Sequence, residues 1–182
     1  MKKLTLKNIF FVSIDQRDLS LQSYLEGIML HGQQSRSRTR FIRIILPRIK
    51  EIDEERMKIM GKYQIKDKKT KLPLLITRNN EETTDLAQGI RYKLTDKLKF
   101  DKELEDYLDE AYVVDVVPSN REDIYAVRDM LFQSNDVFNG RNAFMFDEWC
   151  KAFENISEDN EEKNEIDPKK QPVASKSKTT RR

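Results

Sequence analysis

Apolar and polar residues alternate at the start of the chain. Lys3-Leu-Thr-Leu-Lys7 puts Leu4 and Leu6 on one face of an extended backbone, which predicts a short strand. The period then lengthens. From about residue 16 to residue 30, Leu21, Leu25 and Ile28 recur at spacings of four and three, flanked by Tyr24 and Met29. A first helix is expected there, with Gly32 as its C-terminal stop. The next helix carries the longest pattern in the chain. Ser35 is its expected cap, and Ile42, Ile45, Ile49, Ile52, Ile59 and Tyr63 form one apolar seam over residues 36–63. Pro47 lies inside that helix. A proline there removes a backbone donor and crowds the carbonyl four residues back, so a kink is expected near residues 43–46. A rod of this length must lay its seam on another helix or on a second copy of the chain.

Further along, Leu72-Pro-Leu-Leu-Ile-Thr77 reads as an edge strand, because Pro73 has no N–H to give a central ladder. Residues 79–85 read as loop. Helical period returns over residues 95–111 through Leu98, Leu104, Tyr107, Leu108 and Ala111, and Glu103, Glu105, Asp106, Asp109 and Glu110 make this helix strongly acidic. Tyr112-Val-Val-Asp-Val-Val117 is the clearest strand, ended by Pro118 and expected to pair with residues 4–7. Ser119 or Asn120 can cap a helix over residues 121–132 with Ile124, Val127 and Leu131 inward. After an Asn139-Gly140 turn, a last helix over residues 142–156 carries Phe144, Met145, Trp149, Ala152, Phe153 and Ile156. Trp149 and Phe153 are expected to anchor the core. The expected fold is α+β and mostly helical: a long kinked amphipathic helix packed with shorter helices and a two- to three-stranded sheet. It forms one domain, 1–156, followed by a charged tail, 157–182, in which like-charge runs and the lack of aromatic residues predict disorder.

Composition narrows the chemistry more than it names a partner. Charged residues make up 36% of the 182 and the hydrophobic set 37%, which suits solvated helices around a thin core. The 34 Lys+Arg nearly balance the 32 Asp+Glu. One Cys excludes an internal disulfide, and one Cys with one His excludes a Cys/His zinc site and any site that needs two histidines. Phosphate-binding loops, nucleophile elbows and dinucleotide fingerprints do not occur. His31 lies in a polar turn, Cys150 stands beside Trp149 on an apolar helix, and the carboxylates of residues 103–110 have the spacing of a solvated face. The reading is a non-enzymatic protein with no cofactor and no metal, with no apolar run that spans a bilayer, and cytoplasmic.

One segment stands out. Ser35-Arg-Ser-Arg-Thr-Arg-Phe-Ile-Arg43 opens the long helix, and six cationic residues with no acid fall between Arg36 and Lys50. Arginines at a helix N-terminus oppose the helix dipole by a few tenths of a kcal/mol each, a conflict tolerated where something else gains. At 100° per residue Arg36, Arg40, Arg43 and Lys50 share a stripe opposite the isoleucines, while Arg38 projects toward the seam side. The planar guanidinium suits carboxylate or phosphate. Arg36, Arg38, Arg40 and Arg43 are therefore the candidate partner-binding residues. Three readings stand: a solvated face, an acidic protein surface (the chain's own 103–110 helix included), or a nucleic-acid backbone served also by the basic end of the tail.

The order of segments also resembles a known family. The strand Lys3-Leu-Thr-Leu-Lys-Asn8 comes first, then Leu30-His-Gly-Gln-Gln-Ser-Arg-Ser-Arg-Thr-Arg-Phe-Ile42, a long helix with Glu51-Ile-Asp-Glu-Glu-Arg56, the Tyr112-Val-Val strand and Phe146-Asp-Glu-Trp-Cys-Lys-Ala-Phe-Glu154. This resembles small uncharacterised proteins encoded by tailed phages and prophages of Gram-positive bacteria. The likeness covers residues 1–156 and is most specific at Gly32 to Ile42; the middle, about residues 72–98, and the tail depart from the pattern. The resemblance brings no catalytic residues. It implies a phage accessory protein in the infected cytoplasm that binds a phage or host protein, in virion assembly or against a host factor.

Overall fold

The computed structural model describes residues 2–13 and 18–156. Strand β1 (Lys3–Lys7) pairs antiparallel with β5 (Ala111–Asp115), Leu4 opposite Val114 and Leu6 opposite Tyr112. The alternation seen in the sequence does this work, since Leu4 and Leu6 are fully buried and Val114 nearly so. A 3-10 turn at Asn8–Phe11 leads from β1 and adds Phe10 and Phe11 to the core.

Helix α1 (Leu21–Gly27) is shorter than its periodicity predicts. Ser20 caps it: its Oγ accepts from the Ser23 N–H at 3.1 Å, and Ser23 Oγ accepts from the Ser20 N–H at 2.9 Å. Residues 16 and 17 of the expected helix lie outside the described residues, and residues 28–30 are extended or irregular. Gly32 is not the stop of this helix. It is the first residue of α2 (Gly32–Tyr63), at φ +53°, and His31 rather than Ser35 stands at the N-cap, with no side-chain cap bond. The glycine makes the sharp entry, which frees Ser35 to lie inside the first turns. α2 continues unbroken past Pro47, which deprives only the Arg43 carbonyl of its intrahelical donor.

The seam of α2 is covered within the chain. Ile45, Ile52 and Ile59 are buried, and the line continues upward through Phe41 and Ser37, so Phe41 belongs to the core and not to the arginine face. Phe41 meets Phe153 with ring centroids 5.7 Å apart. The seam thus gives no reason for a second copy of the chain. Helix α4 (Arg121–Phe132) packs along the first half of α2 and buries Ile124, Val127 and Leu131. Its start is fixed by Asn120, whose Oδ1 accepts from the Val117 N–H while Nδ2 donates to the Asp115 carbonyl, both at 2.9 Å. Helix α5 (Gly140–Glu154) supplies Trp149 and Phe153, both buried as expected.

The far half of α2 carries a smaller layer. Helix α3 (Lys97–Asp109) begins at Asp96, whose carboxylate accepts from the Lys99 N–H at 3.1 Å, a bond that lowers the Asp96 pKa. Ala111, placed at the end of this helix by periodicity, opens β5 instead. Between α2 and α3 lies a small antiparallel sheet of β2 (Leu75–Ile76), β3 (Glu82–Thr83) and β4 (Arg91–Tyr92), in the order β3-β2-β4. Two expectations fail here. The strand after Pro73 is central, not an edge, because it starts two residues past the proline, and the 79–85 loop contains a strand. Leu75 is buried here, and a Cβ on Gly89 would stand 2.5 Å from the Leu75 Cβ, so only glycine fits at 89.

The architecture is α+β and mostly helical. Among the described residues, no helix is long and apolar enough to cross a membrane. The expected disordered tail, 157–182, lies outside the described residues.

At one end of the core Tyr24 packs against Phe138, Phe146 and Trp149, and its hydroxyl is 2.9 Å from both the Ser134 hydroxyl and an Asp136 carboxylate oxygen. Burial, opposed by the Ser134 hydrogen bond and helped by Asp136, pushes its pKa up to about 12. An unfolded chain gives up this proton near pH 10, so between about pH 10 and 12 the native state holds a proton the unfolded state has lost. Stability should fall with rising pH across that window. Urea midpoints taken from pH 9 to 12 should show a shallower loss for Tyr24→Phe than for the native chain.

Candidate partner-binding surface

The four candidate arginines divide by direction. Phe41 sets the inward face of α2, and Arg36, Arg40 and Arg43 stand 100–160° away from it at ~100° per residue. All three are exposed. Among the described residues Arg36 and Arg43 have neither an ion pair nor a hydrogen-bond partner for the guanidinium. Arg40 reaches the buried Asp123 carboxylate in the first turn of α4 at 3.8 Å, and stays 64% exposed itself. The three arginines, with Ser35, Thr39 and the turn at 30–32, line an open hollow of about 520 Å³. Lys50 continues the stripe, one turn beyond the exposed Pro47.

Arg38 is not part of this face. Its Nη1 donates to the Leu25 carbonyl at 3.0 Å and the Ile28 carbonyl at 2.6 Å, and Nη2 lies 3.4 Å from Ser35 Oγ. The end of α1 leaves carbonyls without intrahelical partners, and this guanidinium satisfies them. The expectation that Arg38 serves an outside partner is corrected: the short α1 ends where Arg38 can reach it, and both Nη1 and Nη2 bond inside the molecule.

Arg48 likewise holds the fold together. Its Nε donates to Asn8 Oδ1 at 3.0 Å, its Nη1 pairs with Glu51 at 3.1 Å, its Nη2 lies 3.9 Å from Glu110, and its guanidinium covers the Tyr112 ring at 5.6 Å. Fully buried Asn8 completes the node, its Nδ2 donating to the Tyr107 carbonyl at 2.9 Å and its backbone N–H to the Glu110 carbonyl at 3.0 Å. Sequence reasoning passed over Arg48. Its position, three residues after Ile45 and four before Ile52, puts it beside the seam, and that was the available signal.

The acidic helix α3 answers the other half of α2. Glu103 takes bonds from Lys62 and from the Tyr63 hydroxyl, the latter at 2.7 Å, and these two hydrogen bonds, Lys62 first, hold its carboxyl below the usual range. Glu110 faces Arg48. Among the described residues no α3 carboxylate pairs with Arg36, Arg40 or Arg43, which removes the internal partner that the sequence left open.

The remaining candidates offer little chemistry. His31 is exposed at the start of α2. Burial, then the charges of Glu154 and Asp147, push the Cys150 thiol up, which disfavours the nucleophilic thiolate. Among the described residues no three His, Cys, Asp or Glu side chains gather as metal ligands. No family model, curated protein or solved structure matches the chain.

Proposed function

We propose that this protein is a non-enzymatic binding protein whose outward arginine face, Arg36, Arg40 and Arg43, receives an acidic surface of another protein. One observation carries the reading: α2 presents Arg36 and Arg43 to solvent with no ion-pair or hydrogen-bond partner among the described residues, while Arg38 and Arg48 of the same helix are tied into the fold. Three guanidiniums within two turns offer fork-shaped donors suited to carboxylates. In the setting that the family resemblance implies, the partner is a phage or host protein met in the infected cytoplasm, during virion assembly or as a host factor under inhibition.

A nucleic-acid backbone would use the same groups, and salt separates the two. A polyglutamate peptide and a random-sequence DNA duplex should be titrated against the native chain and Arg36→Ala/Arg43→Ala. The expected result is that the peptide binds and weakens at least 10-fold in the variant, while duplex retention at low salt is weak. Strong duplex binding that falls linearly in log affinity against log salt, and drops in the variant, would move the function to nucleic acid.

A further inference from the structure

We propose that the arginine face of one copy of this chain docks on the hollow between α3 and the 3-10 turn of a second copy. The inference rests on the reading of Arg36, Arg40 and Arg43 as a face for protein carboxylates, and names the partner as the chain itself.

The hollow has the chemistry that the face asks for. It measures about 400 Å³, and Ile9, Leu104 and Leu108 supply its apolar wall. Asp101, Glu105 and Asp109 stand exposed on its rim. Helical period explains both rows, since positions four apart share a face and α3 sets one acidic ridge beside one apolar ridge. Glu105 has no ion-pair or hydrogen-bond partner among the described residues. Asp101 pairs with Lys97, and Asp109 lies 2.9 Å from Lys7. Both pairs are exposed and therefore weak, so an incoming guanidinium can share these carboxylates. The one cation of the lining, Arg141, lies 3.5 Å from Asp18.

The face matches this hollow in spacing and in shape. Arg36 to Arg43 covers ~10.5 Å of helix rise, and Asp101 to Asp109 ~12 Å, at 1.5 Å per residue. Three guanidiniums thus meet three carboxylates in step when the two helices lie side by side. Met29 adds an apolar knob. It is 94% exposed and precedes Leu30, which lines the arginine hollow. An unbranched thioether fits irregular gaps, and the wall of Ile9, Leu104 and Leu108 offers it cover inside a carboxylate rim.

One copy does not make this contact with itself. α3 lies along the far half of α2, where Glu103 holds Lys62 and the Tyr63 hydroxyl, and Glu110 lies 3.9 Å from Arg48. Arg40 and Lys62 are ~33 Å apart along the helix axis. The contact joins two different surfaces, so it is heterologous, and each copy offers one face and one hollow. Its ion pairs are exposed, which makes the association weak and sensitive to salt.

The test follows the full chain by sedimentation equilibrium over a range of concentrations at about 0.05 M and 0.5 M salt. The native chain should gain mean mass with concentration at low salt and stay monomeric at high salt. Arg36→Ala/Arg43→Ala removes the face, and Asp101→Asn/Glu105→Gln/Asp109→Asn removes the rim; each variant alone should stay monomeric. An equimolar mixture of the two retains one intact face and one intact hollow, and should form one-to-one dimers that grow no further. Met29→Ser should weaken association about 10-fold with no change in charge. A native chain that is monomeric at low salt overturns the second copy. If that monomer still binds the polyglutamate peptide through Arg36 and Arg43, the reading of the face stands; if it does not, that reading falls as well. Association that survives in either variant places the contact elsewhere and overturns the proposal, as does a mixture that stays monomeric.

Discussion

Phe41→Ala should cost about 3–5 kcal/mol of stability, the largest single loss expected in this fold. The residue is fully buried. Its ring packs on Phe153, itself fully buried, at an interplanar angle of 57°. Truncation removes the transfer energy of the ring and opens a cavity where α2 and α5 meet, and α2 cannot collapse into it because Ser37, Ile45 and Ile52 fix the same face. A domain of this size commonly has 5–15 kcal/mol in all, so the variant will populate unfolded chains measurably at room temperature. Urea denaturation gives the figure. Should Phe41→Ala fail to fold, Phe41→Leu keeps most of the volume and should lose about 1 kcal/mol. A loss below 0.5 kcal/mol for the alanine variant would place Phe41 on the surface with its arginine neighbours.

The second large effect belongs to Arg38. Arg38→Ala leaves the carbonyls of Leu25 and Ile28 without this donor and loosens the hinge between α1 and α2. Hydrogen bonds from a charged donor contribute about 1.5–3 kcal/mol, and the half-buried setting makes about 2–3 kcal/mol the expected loss. Arg38→Lys should recover less than half, since an ammonium cannot span the two carbonyls as the planar fork does. Arg36→Ala is the control: an exposed side chain with no ion-pair or hydrogen-bond partner among the described residues should change the stability read from urea denaturation by less than about 0.5 kcal/mol. Equal losses for Arg36 and Arg38 would erase the distinction between them.

That distinction also marks where sequence reading reached its limit. Strands β1 and β5, their pairing, α4 and the anchors Trp149 and Phe153 were all legible, because strict alternation or a single stripe of apolar residues specified each. The long helix was legible too, though its buried line was read one residue off at the top. Isoleucine spacing points to Ile42, which is half-buried, and the aromatic neighbour Phe41 takes the inner place. The two-residue strands β2, β3 and β4 carry too few positions to show any period, and their order follows from tertiary contacts such as Gly89 against Leu75. Of the arginine site, the stripe Arg36-Arg40-Arg43 followed from helical geometry alone. The inward turn of Arg38 did not, because it depends on where α1 ends, and α1 stops at Gly27 where the periodicity implied a helix to about residue 30.

Side-chain NMR of the arginine Nε–H groups in the full chain at about 0.5 M salt, where exposed ion pairs are screened, tests the division between tied and free guanidiniums directly. Arg38 and Arg48 should show slowed proton exchange and restricted motion, while Arg36 and Arg43 exchange as a free arginine does and shift only when an acidic ligand is added. Arg36 and Arg43 signals as protected as that of Arg38 in the absence of any ligand would mean the molecule already holds them, and the outward face would have nothing to offer a partner.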